Sequence, residues 1–284
     1  MAPRTGRLWK VGHIMDKVVF AESWEPYFAR LGLRTFDDFY NYPDTVTVNR
    51  NERRDVLKLT LGRGAEANTF FMKRFHDPHW KDIWAARWGG GGLASQAAVE
   101  WRNARFLLSN GIGTYEPVCL GERTRWGLEK ASFFLTLELD AVCLLDLVLQ
   151  DWKNLVRAGQ EEILAAVGCF AKTLHGLDIS LPDLQLWHLY VHRENPCGRS
   201  RLSVIDLHRM TWPVRSERRK AKDIGRLLWS MLPDYFDAGH RQVLLDTYLA
   251  DRPQTRRQSL ARRMERFEAT LNRRHTARRY YKNT

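Results

Sequence analysis

The chain has 284 residues, 44% of them hydrophobic and 12% aromatic, with a formal net charge of +12. This composition suits one large or two small folded domains and excludes a disordered chain. The charge is uneven: from Arg252 onward eleven Lys or Arg stand against two Glu, so +9 lies in the tail and +3 in the rest.

The first residues, MAPRTGRLWKVGHIMDKVVF, hold no uninterrupted apolar stretch and do not read as a secretory signal. Residues 1–44 read as a mixed helical extension, with ESWEPYFARLGL as its best amphipathic piece. From Asp44 the pattern turns to alternating strands: TVTV, DVLKLTL and TFFMKRF. GRGAEAN between the last two supplies turn residues at Gly62, Gly64 and Asn68, which predicts a hairpin.

The four glycines Gly89–Gly92 invite a phosphate-loop reading, but no Lys-Ser or Lys-Thr follows and no G-x-G-x-x-G is present. They read as a flexible linker. His76 and His79 in HDPH have no partner cluster and read as a surface loop rather than a metal site. A helix follows and should stop near Asn110-Gly111. YEPVCLGE and ASFFLTLEL are expected as strands.

The run Ala131–Leu149 is interrupted by Glu138, Asp140 and Asp146, which argues against a membrane-spanning helix. Cys119, Cys143, Cys169 and Cys197 lie far apart with no C-x-x-C spacing, against a zinc knot or disulfide framework and in keeping with a reducing cytoplasm.

The second half reads as mainly helical. Ile163, Leu164, Val167, Phe170, Leu174 and Leu177 share one face of a helix over Glu161–Asp178. HLYV and RLSVIDL flank a turn, HRENPCGRS, and form a second hairpin, with Asp183 before its first strand and Asp206 closing its second. RRKAKDIGRLLWSML resumes the helices. In the tail, Leu260, Met264, Phe267 and Leu271 repeat at helical spacing among arginines, the pattern of a basic amphipathic helix that binds an anionic surface or packs on its own domain.

Lys73 stands inside the apolar strand FFMKRF, where an inward lysine needs an anionic partner, and Glu100 in the next helix can supply one. Small sheet, Lys, helix, Glu, long helix, Asp-x4-polar, hairpin and Asp is the order of parts in a protein kinase. The segments FFMKRF, AAVEWRNARFLLSNGI, LHGLDISLPDLQLWHLYV, SVIDLHRM and RRKAKDIGRLLWSM resemble the lipopolysaccharide kinase family, the Kdo and core-heptose kinases of Gram-negative bacteria. The resemblance runs from about Asp44 to Leu249, and its most specific parts are the Asp-x4-His step and the IDLHR segment.

The resemblance implies an α+β, bilobal, protein-kinase-like fold, with a small antiparallel lobe carrying one helix and a larger helical lobe. It places the N-terminal lobe at 45–138, the catalytic lobe at 139–250 and a basic tail at 251–284. It implies transfer of the γ-phosphoryl group of ATP to a sugar hydroxyl of the lipopolysaccharide core, with Mg²⁺. Lys73, held by Glu100, would contact the nucleotide phosphates, and Asp183 would accept or orient the sugar hydroxyl proton. Asp206 would bind magnesium; His188 would ligate it or donate to a phosphate or to Asp183. The backbone of Glu138 and Asp140 would meet the adenine edge, and Asp223 would brace the catalytic loop.

The chain departs from kinases in two places. No glycine lies in TVTVNRNERRDVLKL, where Arg50, Arg53 and Arg54 offer charge instead, and Leu181-Pro182 stands where kinases usually carry His-Arg. A kinase-like binding module without catalysis, and a kinase of this fold with a small-molecule or protein acceptor, are the alternatives. The expected partners are the lipopolysaccharide core and an anionic inner-membrane surface, with no nucleic acid, at the cytoplasmic face of the inner membrane.

Overall fold

The computed structural model describes residues 7–11, 14–76, 95–192 and 202–282. The chain divides into two compact units, one of Met1–Ser109 with Tyr115–Leu139, the other of Asn110–Thr114 with Asp140–Thr284.

The first unit is built on a seven-stranded sheet. Its strands are β1 (Arg7–Val11), β2 (Ile14–Phe20), β3 (Val46–Arg50), β4 (Arg54–Leu61), β5 (Asn68–His76), β7 (Pro117–Arg125) and β8 (Leu128–Leu137); β6 (Gly113–Thr114) belongs to the other unit. The order is β1-β2-β7-β8-β5-β4-β3, antiparallel throughout. Period-two alternation in β4 buries Leu57, Leu59 and Leu61 on one face. Helices α1 (Glu25–Arg30) and α2 (Phe36–Tyr40) cover it, and their Phe28, Phe36 and Phe39 join those leucines, Phe70, Met72 and Phe133 in one core.

Helix α3 (Gln96–Ser109) packs on β5, β7 and β8, where Trp101 meets Phe134 edge-on at 6.3 Å. It stops as expected, with Gly111 at φ +70, a left-handed position that glycine takes without a Cβ penalty. Gly89–Gly92 and His79 lie outside the described residues.

The helical extension expected over 1–44 is corrected by this sheet. β2 pairs with β7 from Ile14↔Arg125 to Phe20↔Cys119, so the segment supplies two strands as well as α1 and α2, and Phe28, Phe36 and Phe39 become core residues. Because the pairing partner lies about a hundred positions away, local periodicity gave little sign of it.

The second unit holds a four-stranded sheet of order β6-β11-β10-β9, with β9 (Ala141–Cys143), β10 (Leu189–His192) and β11 (Leu202–Val204). β10 runs antiparallel to β9 and β11, which is the expected second hairpin; its turn falls outside the described residues. Around it stand α4 (Leu144–Gln150), α5 (Arg157–Gly176), α6 (Glu217–Ser230), α7 (Ala238–Tyr248) and α8 (Gln254–Asn272). α5 buries Ile163, Leu164, Val167, Phe170 and Leu174, the face its spacing predicts, while Leu177 caps the helix exposed.

The tail helix α8 is part of this unit. It crosses α6 at Gly225, where an added Cβ would stand 2.8 Å from that of Phe267, so only glycine permits the approach. Met264 is buried, and Arg241 of α7 pairs with Glu268. The apolar stripe is thus spent on protein, and the outer face of α8 is left with charge. Among the described residues no helix is long and apolar enough to cross a membrane, and Cys119, Cys143 and Cys169 are free thiols.

Candidate active site

In the first unit, the alternation that turns Phe70 and Met72 toward α1 and α2 turns Lys73 to the face carrying α3. There Lys73 Nζ donates to both carboxylate oxygens of Glu100, at 3.0 and 2.8 Å. The lysine side chain is 15% exposed and the glutamate 0%. Tyr115 Oη donates to Glu100 Oε2 at 2.9 Å, so a buried hydroxyl and an ammonium together satisfy the carboxylate. The expected Lys73–Glu100 pair is formed.

The turn between β3 and β4 stands where kinases carry glycines over the phosphates. Asn51 Oδ1 accepts from the amides of Arg53 and Arg54, at 3.0 and 2.9 Å, so its own side chain takes the turn's donors. Arg50 Nε and Arg74 Nη2 donate to the two oxygens of Asp55, both at 2.9 Å. Burial works to raise the Asp55 carboxyl, but hydrogen bonds and charge from Arg74 and Arg50 outweigh it and hold it below the usual carboxylate range. His76 Nε2 lies 3.0 Å from the Glu52 carbonyl, which braces the same turn. The hairpin is thus basic, glycine-free and cross-linked by side-chain hydrogen bonds.

In the second unit, the loop before β10 is held from beneath by Asp223 of α6. Its Oδ2 accepts from the Ser180 hydroxyl at 2.7 Å and the Leu181 amide at 2.9 Å, with the residue 1% exposed. That is the bracing position the sequence suggests. Asp183 follows, its side chain 13% exposed. Arg209 Nη1 donates to Asp183 Oδ1 at 3.0 Å, while Oδ2 is buried with no hydrogen-bond partner among the described residues.

His188 Nδ1 lies 2.8 Å from the main-chain oxygen of Asp183. A carbonyl only accepts, so Nδ1 carries a proton and donates it, which leaves Nε2 as the nitrogen that faces Asp206. Nε2 stands 3.8 Å from Asp206 Oδ2. Asp206 itself sits at φ +61, a left-handed conformation Asp tolerates better than most residues, and His208 Nδ1 approaches its Oδ1 at 3.2 Å. The donor set suits magnesium through the Asp206 carboxylate, since that ion prefers oxygen; imidazole nitrogen suits it less, and His188 already spends one nitrogen on Asp183.

Glu138 and Asp140 lie where the chain leaves β8. The Glu138 amide donates to the Thr69 carbonyl at 2.9 Å and its carboxylate pairs with Lys58 at 2.7 Å, while the Asp140 carbonyl accepts from His192 Nδ1 at 3.2 Å. Arg209, Tyr115 and Trp187 escaped the sequence reading. Arg209 carried a signal, its place in the IDLHR segment, whereas nothing in the local sequence marks Tyr115 or Trp187.

A mixed α+β chain with a buried Lys–Glu pair under an antiparallel sheet, and a braced Asp loop before a hairpin ending in Asp, has a kinase-like fold. The chain belongs to the lipopolysaccharide kinase (Kdo/WaaP) family, whose model matches residues 45–261. It is 32% identical over 145 residues to the lipopolysaccharide core heptose(I) kinase WaaP of Pseudomonas aeruginosa, covering 48% of this chain and 53% of that one. To the Escherichia coli protein of the same name it is 26% identical over 164 residues, 51% of this chain and 62% of the relative. The chain therefore spans between half and two thirds of the curated relatives it matches. A solved structure, WaaP in complex with acyl carrier protein, superposes with a TM-score of 0.65 at 24% identity, over 89% of this chain and 98% of that one.

Proposed function

We propose that the protein is an ATP-dependent kinase that phosphorylates a sugar hydroxyl, heptose or Kdo, of the lipopolysaccharide inner core. The observation that carries this reading is Asp183: one oxygen held by Arg209, the other buried and without a hydrogen-bond partner among the described residues, on a loop fixed by Asp223. A buried acceptor without a donor costs stability, and a group that transiently accepts a hydroxyl proton gives it a use. Membership of the family supports the same chemistry.

In this reaction the acceptor oxygen forms a bond to the γ-phosphorus, the bond from that phosphorus to the β–γ bridging oxygen breaks, and ADP leaves. The Asp183 carboxylate takes the hydroxyl proton while Arg209 keeps that carboxylate oriented. Lys73, fixed by Glu100 and Tyr115, neutralises the nucleotide phosphates. Asp206 is the residue that would hold Mg²⁺, which when bound offsets phosphate charge. His188 ties the Asp183 carbonyl to the start of β10 and turns Nε2 toward Asp206. For adenine, the commitments of the Glu138 amide and the Asp140 carbonyl favour the Glu138 carbonyl and the Asp140 amide as contacts.

The test is phosphate incorporation from Mg-ATP into lipopolysaccharide whose core lacks phosphate. Incorporation into the core sugar is the expected result; Mg-dependent ATP binding without any transfer would instead indicate a kinase-like binding module.

The partner beyond the acceptor is an anionic membrane surface, at the cytoplasmic face of the inner membrane. Arg218, Arg263 and Arg266 line a cavity of about 320 Å³ over Phe267, between α6 and α8. Each basic residue near an anionic leaflet contributes about 1 kcal/mol. Changing all three to Gln is expected to weaken binding to phosphatidylglycerol vesicles roughly a hundredfold, and to leave transfer to a soluble core oligosaccharide unchanged. Vesicle binding that survives the triple change would refute the assignment.

A further inference from the structure

The family match ends at residue 261, yet the chain continues and returns to the loop that carries Asp183 and His188. Beyond α8, a short 3₁₀ turn (Ala277–Arg279) is started by Thr276, whose hydroxyl accepts from the Arg278 amide at 3.2 Å. Ala277 is buried against Trp229 and Leu232. Arg278 grips Asp234 with both terminal nitrogens, at 2.7 and 2.8 Å, and Trp229 Nε1 donates to the His275 carbonyl at 3.3 Å.

These anchors set two tyrosines. Tyr280 stacks on Trp187, the neighbour of His188, with ring centroids 3.9 Å apart and planes at 15°. Trp229 meets both rings edge-on, at 5.9 Å from Trp187 and 6.3 Å from Tyr280. Tyr281 Oη donates to the Ser230 carbonyl at 2.6 Å, and burial pushes that phenol's pKa up. Ser230 Oγ in turn accepts from the Leu186 amide at 3.2 Å. From the other side, Cys143 Sγ meets the Trp187 carbonyl at 3.7 Å.

Leu186 and Trp187 are thereby each held by the C-terminal segment or by a residue that segment holds, the ring of Trp187 by Tyr280 and the amide of Leu186 through Ser230. These two residues lie between Asp183 and His188, whose mutual hydrogen bond sets the loop. We propose that residues 275–281 form a C-terminal strap that positions the Asp183–His188 loop, with Tyr280 as its principal positioning residue through Trp187. The consequence for catalysis rests on the kinase reading above; the mechanical claim does not. The strap touches none of the reacting groups. Its effect is to keep His188 and Asp183 in one arrangement, and a displacement of about 1 Å in such groups costs up to roughly a hundredfold in rate.

The experiment uses the full-length protein with Tyr280→Ala and Tyr280→Phe, and reads two quantities well below the unfolding temperature. Amide hydrogen exchange in 183–192 is expected to quicken in Tyr280→Ala and return to the original rate in Tyr280→Phe, which keeps the stack. In the transfer assay, kcat is expected to fall about tenfold or more in Tyr280→Ala with KM for ATP within about twofold, again rescued by Phe. Unchanged exchange in 183–192 would overturn the strap. Faster exchange with unchanged kcat would overturn its positioning role and leave only a stabilising contact. If the unmodified protein transfers no phosphate, the kinase reading fails, and the exchange data still decide whether the strap holds the loop.

Discussion

Replacing Asp183 with asparagine is expected to lower phosphoryl transfer by about 10³-fold, with Mg-ATP binding retained and stability unchanged or slightly raised. The asparagine oxygen can still accept from Arg209, as Asp183 Oδ1 does at 3.0 Å, so the loop keeps its shape. What changes is the other position: an amide nitrogen replaces Oδ2, the buried atom with no partner among the described residues, and it cannot take a proton. A structural carboxylate would respond in the opposite way, since removing it from a satisfied network costs stability. Thermal unfolding and transfer measured on one preparation separate the cases. A variant that loses stability in proportion to activity would make Asp183 a scaffold residue. One that keeps its unfolding temperature and loses activity identifies a group held at a cost for chemistry.

That site was legible where function leaves a local contradiction in the sequence. Lys73 breaks the apolar strand FFMKRF, and a lysine there forecasts a carboxylate close by; Glu100 meets it at 2.8 Å. Asp206 follows the end of β11 and takes up φ +61. Elements whose periodicity shows the buried face, such as α5 and β4, were equally open to reading. Residues 14–20 were not, because β2 is defined by the strands it pairs with, and β7 lies far along the chain. The same holds for Tyr280. Nothing in ARRYYKNT distinguishes a tyrosine that stacks on Trp187 from one that faces water, since the contact joins positions more than ninety residues apart.

The departures from the kinase pattern also acquire a physical sense. Where kinases have an arginine before the catalytic Asp, this chain has Leu181-Pro182, and Leu181 is buried with its amide bound to Asp223. The positive charge that orients Asp183 comes instead from Arg209, downstream of Asp206. On the function proposed above, the orientation of Asp183 is set from the second hairpin's exit, through Arg209.

The second large effect belongs to Lys73 and Glu100 and is best tested as a cycle. Lys73→Met removes the ammonium and leaves a carboxylate at 0% exposure with Tyr115 as its remaining hydrogen-bond donor in this network. Breaking a buried pair from one side costs about 3–5 kcal/mol, so this variant is expected to unfold at markedly lower denaturant. Glu100→Gln is milder, because the amide oxygen still accepts and Lys73, at 15% exposure, can turn its charge toward water. Combining the two changes is expected to restore most of the stability lost in Lys73→Met, since no uncompensated charge remains. It should restore none of the transfer, because no cation is left at the phosphates, and losing one such electrostatic contact costs about 10²–10³-fold in kcat. Denaturant midpoints and kcat on the four proteins give the answer. Recovery of stability without recovery of activity assigns the ammonium to the nucleotide, whereas a Lys73→Met variant that loses under about 1 kcal/mol, the usual worth of an exposed pair, would mean the two groups are held in water and not in the protein.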